Sequence, residues 1–515
     1  MKILTAEQTR EVDAATIRNE PISSTDLMER ASAAFSQAFL DTFGITDNPV
    51  FVFSGPGNNG GDGMAIARML LSRNIKVQPY SVHAAEKGSD DFNLNRERLT
   101  NRLHRVKNIE KKEDIPEIPP EAIVIDGLFG SGLSRKVEGI FAEVIQAMND
   151  SGSALVAIDI PSGLYADKPL EDDADAIVRA DFTFTFQMPK LAFLLPFSAP
   201  FVGRWEVLDI GLDQAFIQEI DADYYFTDYF LALSLHKKRT IFSHKGDFGK
   251  TIMISGSHGK MGAAVLCARA CLRTGVGLLT VHVPECGYQI MQMANPEAMT
   301  TVDRHQFIFT ELQQEGRTAL EKYDVIGIGP GIGTAAETVS ALRNVLEEAK
   351  NLEMPMVLDA DALNILGKNR ELLNLLPKYS VLTPHPKEFE RLTEAAKNDF
   401  HRLELLTRFT KKYQVYVVLK GAHTAVGTPD GKICFNSTGN PGMASGGTGD
   451  ALTGIITSLL SQKYDALDAA LLGVYLHGLA GDLASQELGQ EAMLASDLIE
   501  HLGAAYKHLA EQENA

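Results

Sequence analysis

Five consecutive residues, Gly446-Gly447-Thr448-Gly449-Asp450, put backbone freedom and a carboxylate at the start of an apolar run, "DALTGIITSLLS". Glycines let the backbone approach an anion closely and turn through positive φ. A helix that opens there points free N–H groups and the positive end of its dipole at the loop. Beside a phosphate held in that way, Asp450 could take the proton from an attacking hydroxyl. A plain helix N-cap in a glycine-rich turn is the competing reading.

A second glycine-rich loop, "GPGNNGGDG", occupies residues 55–63 and spaces Gly55, Gly57 and Gly60 as G-x-G-x-x-G. Redox dinucleotide folds set an acid about twenty residues further on to hold the ribose. The next apolar run here, "IKVQPYSV", ends without one, so an ordinary redox Rossmann site is not expected. Asp126 and Asp159 each close an apolar run in the same half, "EAIVID" and "SALVAID". On a parallel sheet such strand ends face the ligand; capping a helix or turn is the alternative use of either acid.

The elements that must hold these residues follow from periodicity. "VFVFS" (50–54) reads as a strand and "GMAIARMLLSR" (63–73) as a helix, with "IKVQPYSV", "DFTFTF" and "RWEVLDIG" completing a strand series. Alternating strands and helices predict a parallel, doubly wound sheet. The pattern lapses over roughly residues 211 to 240, and a second α/β series follows from "KTIMISGS" through "VYVVLKG". The tail from 449 to about 511 reads as consecutive helices. Two α/β domains are therefore expected, over 1–215 and 225–515, as 515 residues exceed a single core.

A net charge of −19 argues against a nucleic-acid partner but not against small anions met by local donors. No apolar run reaches the roughly 18 residues of a membrane span, and "MKILTAEQTREVDAAT" lacks a signal-peptide pattern. No membrane association and a cytoplasmic location are expected. The four cysteines form no CxxC; Cys267 and Cys271 read as small buried side chains and not as half a metal site. "FSHKGDFGKT" ends like a Walker motif, but His244 stands where the first glycine is required.

In the second half "GSHGKMGAA", "GIGPGIG", "VLDADALN", "TPHPKEF", "LKGAHT" and "GGTGD" follow one another in order. This succession resembles the ribokinase-like superfamily, in the branch of the ADP-dependent NAD(P)H-hydrate dehydratases. The likeness spans roughly residues 240 to 510 and implies an α/β/α sandwich. Sugar kinases carry Asn-x-x-Glu where this chain has His385-Pro386-Lys387-Glu388. The resemblance implies that Lys420, Gly421, Ala422, His423, Thr424 and Gly449 contact ADP. It implies that Ala263, Gly331, His385 and Asp450 contact the hydrated nicotinamide, with Asp450 as base. Mg²⁺ is implied at this site; Glu388 either helps to organise it or is a surface carboxylate at a helix start. Of Asp359 and Asp361, which close a strand, one could be no more than a cap on the following helix.

"PGNNGGDG", "DGLFGSGLSR", "IDIPSGL" and "FQMPKLAF" together resemble the YjeF N-terminal family, the NAD(P)H-hydrate epimerases, over about residues 1 to 215. This likeness implies a Rossmann-like doubly wound sheet. It implies phosphate contacts from Asn58, Asn59, Gly60, Gly61 and Asp62. Gly130, Ser131, Gly132, Leu133, Ser134, Arg135 and Lys136 would supply further contacts. Asp159 would hold the substrate at its reacting carbon, and Asn59, Asp126 and Ser162 would bind K⁺. Lys190 is open between a phosphate or proton-transfer role and an ordinary surface lysine.

The two likenesses explain why one chain has two glycine loops. Hydration of NAD(P)H gives NAD(P)HX with either configuration at C6, and the dehydratase accepts only the S form. An epimerase in front would convert R to S. Behind it, phosphorylating the C6 oxygen turns a poor leaving group into a good one. The expected partners are NAD(P)HX and ADP, in a homo-oligomer. A ribokinase-like kinase for a vitamin or sugar, with a nucleotide-binding module in front, is the alternative.

Overall fold

Apolar runs of the first half become strands in the computed structural model, which describes residues 1–83, 88–102, 105–170, 176–312 and 320–511. Contacts divide the chain into Lys2–Ala222 and, together with Met1, Asp223–Ala515. The seven-stranded sheet of the front unit is built of β1 (Val50–Ser54), β2 (Val77–Val82), β3 (Lys107–Ile109), β4 (Ile123–Gly127), β5 (Ala154–Ile158), β6 (Phe182–Phe186) and β7 (Arg204–Leu208). Their order is β3-β2-β1-β4-β5-β6-β7, and every pair is parallel. Both faces are covered. Val50 and Val52 point into one apolar layer with Phe35, Met64 and Leu70, while Phe51 and Phe53 enter the other with Tyr80 and Met148. The order reverses between β1 and β4, which opens a crevice at their carboxyl ends.

Helices α1 (Ala6–Asn19) and α2 (Ser24–Phe43) precede the first strand. Each opens on a capping box, with Thr5 accepting from the Gln8 N–H and Ser23 from the Asp26 N–H. The next helix, α3 (Asn58–Ser72), starts five residues earlier than the expected 63. Most of the glycine stretch is therefore the first turn of a helix. Its glycines are there for packing: a Cβ on Gly60 would lie 1.8 Å from the Gly55 carbonyl oxygen.

Asp223–Ala515 contains β8 (Tyr224–Thr227), β9 (Lys250–Ile254), β10 (Leu278–Val283), β11 (Met299–Val302), β12 (Val325–Ile328), β13 (Met356–Leu358), β14 (Val381–Leu382), β15 (Tyr416–Leu419), β16 (Ala425–Gly427) and β17 (Ile433–Asn436). They run in the order β8-β17-β16-β15-β14-β13-β12-β9-β10-β11. Pairing is parallel except where β16 turns back between β15 and β17. The expected series did not contain that hairpin; "TPDG" between its strands is the turn signal that marks it. β8 arises inside the stretch read as a lapse.

The helices that carry the site are α4 (Met261–Arg273), α5 (Ala360–Lys368), α6 (Pro386–Leu392) and α7 (Thr448–Ser461). Behind them α8 (Ala466–Leu488) and α9 (Ala495–Glu511) continue the helical tail. Leu452, Ile455, Ile456 and Leu459 of α7 share one core with Leu472, Leu476 and Leu498. Against its other side α4 comes so close that a Cβ on Gly454 would stand 2.2 Å from the Cys267 carbonyl oxygen. Cys267 and Cys271 are fully buried at this contact, as their small size allows. Among the described residues no helix is long and apolar enough to cross a membrane.

Candidate active sites

The crevice of the front unit is a cavity of about 700 Å³. Asn58, Asn59 and Asp62 from the start of α3 line it, together with Gly130, Ser131, Gly132, Leu133, Ser134 and Arg135. Gly57 caps α3 without a side chain, so the first-turn N–H groups open toward the cavity. Gly60 and Gly61 do not line it. They are buried beneath, where a Cβ on Gly61 would lie 2.8 Å from the Met28 sulfur. Lys136 also falls outside the lining.

Asp159 follows β5 with φ +64°, a left-handed conformation that is costly for a residue with a side chain. It turns the carboxylate into the cavity, where Lys190 Nζ sits 2.8 Å from Oδ1. The Phe186 N–H (3.1 Å) and the Thr185 hydroxyl (3.2 Å) donate to the same oxygen. Burial opposes ionisation of Asp159, but Lys190 and these donors outweigh it and hold the carboxyl below its usual range. Lys190 is 2% exposed, which excludes the surface-lysine reading.

Asp126 ends β4 and is buried, so the opposite influence prevails there. Its carboxylate accepts from the Ser162 hydroxyl (2.6 Å), the Ser162 N–H (2.7 Å) and the Leu128 N–H (3.1 Å). Burial still pushes its pKa up to about 6, against those hydrogen bonds. Asn59 donates to the Phe129 carbonyl (3.0 Å), and the Phe129 N–H donates to Ser162 Oγ (2.8 Å). One carboxylate, one amide, one hydroxyl and one carbonyl thus converge, and among the described residues no cationic side chain pairs with Asp126. This donor set fits a large hard cation. Among the described residues there is no group of three His, Cys, Asp or Glu side chains that could hold a metal ion.

A second cavity, of about 510 Å³, lies in the back unit. Lys420, Gly421, Ala422, Thr424 and Gly449 line it. His423 is absent from the lining; its ring is turned to the Asn436 carbonyl oxygen at 3.2 Å, and burial lowers its pKa. The Thr424 hydroxyl closes the turn by donating to the Gly421 carbonyl (3.1 Å). Thr438, Asn440, Met443 and His477 also line the cavity, and no short motif marked them.

Asp450 stands half-buried in the first turn of α7, whose N-cap Gly447 has φ +98°. Burial, then the charge of Asp359, push its pKa up to about 6; Lys420 opposes them and Asp361 adds to them. Asp359 is no simple cap. Its carboxylate accepts from Lys420 Nζ (3.0 Å) and from the Thr453 hydroxyl (2.7 Å), which aims the ammonium beside Gly449. Asp361 accepts from the Gly333 N–H (2.8 Å) and Lys260 (3.1 Å).

His385 and Glu388 bind each other's backbone at the start of α6. His385 Nδ1 accepts from the Lys387 and Glu388 N–H groups, while Glu388 accepts from the His385 N–H at 2.9 Å. Glu388 is 5% exposed, so it is not a surface carboxylate. Gly331 (φ +70°) and Ala263 meet across the sheet edge, a Cβ on Gly331 falling 3.2 Å from that of Ala263. Neither these two nor His385 and Asp450 line this second cavity.

Comparison with known proteins assigns both units. A family model described as NAD(P)H-hydrate dehydratase matches residues 251–503, and one described as YjeF-related protein N-terminus matches 24–192. The chain is 35% identical over 532 residues to the bifunctional NAD(P)H-hydrate repair enzyme of Moorella thermoacetica, covering 99% of this chain and 98% of that protein. To the enzyme of the same description from Escherichia coli K12 it is 34% identical, over 88% of this chain and 84% of the relative. A solved ribokinase-like superfamily protein from Enterococcus faecalis is similar in structure, with a TM-score of 0.50 and 27% identity. That match covers 56% of this chain and 98% of the other.

Proposed function

The chain belongs to the bifunctional NAD(P)H-hydrate repair enzymes, and on that premise we propose which side chains carry its two reactions. It epimerises NAD(P)HX at C6 and dehydrates the S epimer to NAD(P)H. One observation supports the residue assignment above the others. Each unit sets a carboxylate at the mouth of a glycine-rich helix start, and a lysine acts on its charge: Asp159 with Lys190, and Asp450 with Lys420.

In the front cavity the first turn of α3 and the loop from Gly130 to Arg135 bind the phosphates of NAD(P)HX. Asp159, kept ionised by Lys190, receives the proton of the C6 hydroxyl. Asn59, Asp126 and Ser162 would hold K⁺, whose charge would balance the buried Asp126 carboxylate and fix the neighbouring loop.

In the back unit the turn from Lys420 to Thr424 and Gly449 bind ADP, while Ala263, Gly331 and His385 border the hydrated ring. Asp450 takes the C6 hydroxyl proton as the oxygen attacks the terminal phosphorus of ADP, and AMP leaves. The C6–O bond then breaks with loss of phosphate and of a proton from C5, giving NAD(P)H. Lys420, aimed by Asp359, meets the charge that develops on the transferred group. Glu388 and Asp361 would be the carboxylates to hold Mg²⁺, which would neutralise charge on the diphosphate.

The test is incubation of the full chain with mixed NADPHX epimers, ADP, Mg²⁺ and K⁺, following NADPH absorbance. Complete recovery with release of AMP and phosphate is expected. Accumulation of a stable phosphorylated product would instead identify a small-molecule kinase.

A further inference from the structure

On the reading that the front cavity epimerises C6, we propose that Asp13 is a second catalytic acid–base residue, exchanging a proton with the ring nitrogen while Asp159 exchanges one with the C6 hydroxyl. Asp13 belongs to α1, in a stretch with no recognised motif, and it lines the same cavity as Asp159 and Lys190.

The two carboxyls are treated differently by the fold. Asp159 receives Lys190, the Phe186 N–H and the Thr185 hydroxyl. Among the described residues no group donates a hydrogen bond to Asp13. The third carboxyl in the cavity lining, Asp62, is tied to α2 by the Ser32 hydroxyl at 3.2 Å. Asp13 is thus the carboxyl left for a ligand. Burial and then the charge of Asp159 push it up to about 6, with Lys190 opposing. One carboxyl held ionised and its neighbour inclined to keep a proton is the asymmetry that separates a base from an acid.

The chemistry needs both. C6 of NAD(P)HX carries a hydroxyl and is bonded to the ring nitrogen N1, so it is a hemiaminal carbon. Asp159 takes the hydroxyl proton, the C6–O bond becomes a carbonyl, and the C6–N1 electron pair moves to nitrogen. N1, conjugated through C2=C3 to the carboxamide, receives the Asp13 proton. Rotation about C5–C6 presents the other face of the aldehyde. N1 then attacks C6, Asp13 recovers its proton, and Asp159 returns the other to oxygen. Both carboxyls regain their starting states, and no oxidant, reductant or water is consumed.

The test uses the full chain with mixed NADPHX epimers, ADP, Mg²⁺ and K⁺. The fast phase reports dehydration of the S epimer, and the slow phase reports epimerisation of the R epimer. Asp13→Asn should slow the second phase about 10²-fold or more. Its KM for the R epimer should stay within about threefold, because a transition-state role appears in kcat. Asp13→Glu should restore part of the rate.

In the unmodified protein kcat/KM for epimerisation should decline as pH rises through about 6, where Asp13 loses its proton, and Asp13→Asn should abolish that limb. The charged groups facing Asp13 are Asp159 and Lys190, with Asp62, Arg10 and Arg135 in the same lining. An Asp13→Asn protein with unchanged rate and limb, or a loss confined to KM, overturns the proposal. So does a limb that disappears with Asp62→Asn and survives Asp13→Asn. If the unmodified chain shows no second phase above the uncatalysed rate, the epimerase reading itself fails and takes the proposal with it.

Discussion

At the scale of single residues, the back site turns on a carboxylate whose ionisation is set by its surroundings. As the proposed base, Asp450 acts only when ionised, and burial pushes its pKa up to about 6. Dehydration of S-NADPHX should therefore weaken as pH falls through about 6. Asp450→Asn should lower the rate roughly 10²–10⁴-fold at neutral pH while leaving epimerisation intact. After burial, Asp359 is the largest cause of that raised pKa, so Asp359→Asn should move the acid limb to lower pH. A limb that stays in place would deny the coupling. In the front unit Asp159→Asn should leave recovery of the S epimer fast and slow the R phase to near the uncatalysed rate. A second phase as fast as the unmodified protein's would remove Asp159 from the reaction.

At the scale of elements, the first helical turn after each glycine loop is a packing problem as much as a binding device. Gly60 lies against the Gly55 carbonyl, so any side chain there must push β1 and α3 apart. Gly60→Ala should destabilise the front unit by about 1–3 kcal/mol, the usual cost of overpacking. That corresponds to a fall of roughly 2–10 °C in the temperature at which epimerisation is lost. Dehydration by the same protein should lose no heat resistance. Thermal inactivation curves for the two reactions, measured on one sample, decide it. Unchanged epimerase inactivation would mean that the turn relaxes freely around a methyl group.

At the scale of the whole molecule, each unit has its own apolar layers and its own cavity. We propose that the two fold separately when the chain is divided between Ala222 and Asp223. The front fragment should epimerise R-NADPHX without ADP, and the back fragment should dehydrate only the S epimer. Epimerisation is read by adding the two fragments together and following the slow phase. A soluble front fragment without activity would show that its site needs the rest of the chain.

How much was legible in the sequence follows from the kind of signal each feature leaves. Local motifs determined the two α/β halves, the glycine loops and the acids at strand ends, because glycine, strand periodicity and a terminal carboxylate all act over a few neighbouring residues. Family likeness extended this to the reactions. The partners of those acids were hidden by distance along the chain: Lys190 reaches Asp159, Lys420 reaches Asp359, and Asp13 comes near Asp159 from a helix without a motif. Gly60 and Gly61, expected among the phosphate contacts, are buried and do not line the cavity, because the helix begins earlier than periodicity placed it. Which carboxylate is a base and which keeps its proton depends on burial and on charges from other elements. Only the tertiary structure brings those together, so only it decides the chemistry each acid can do.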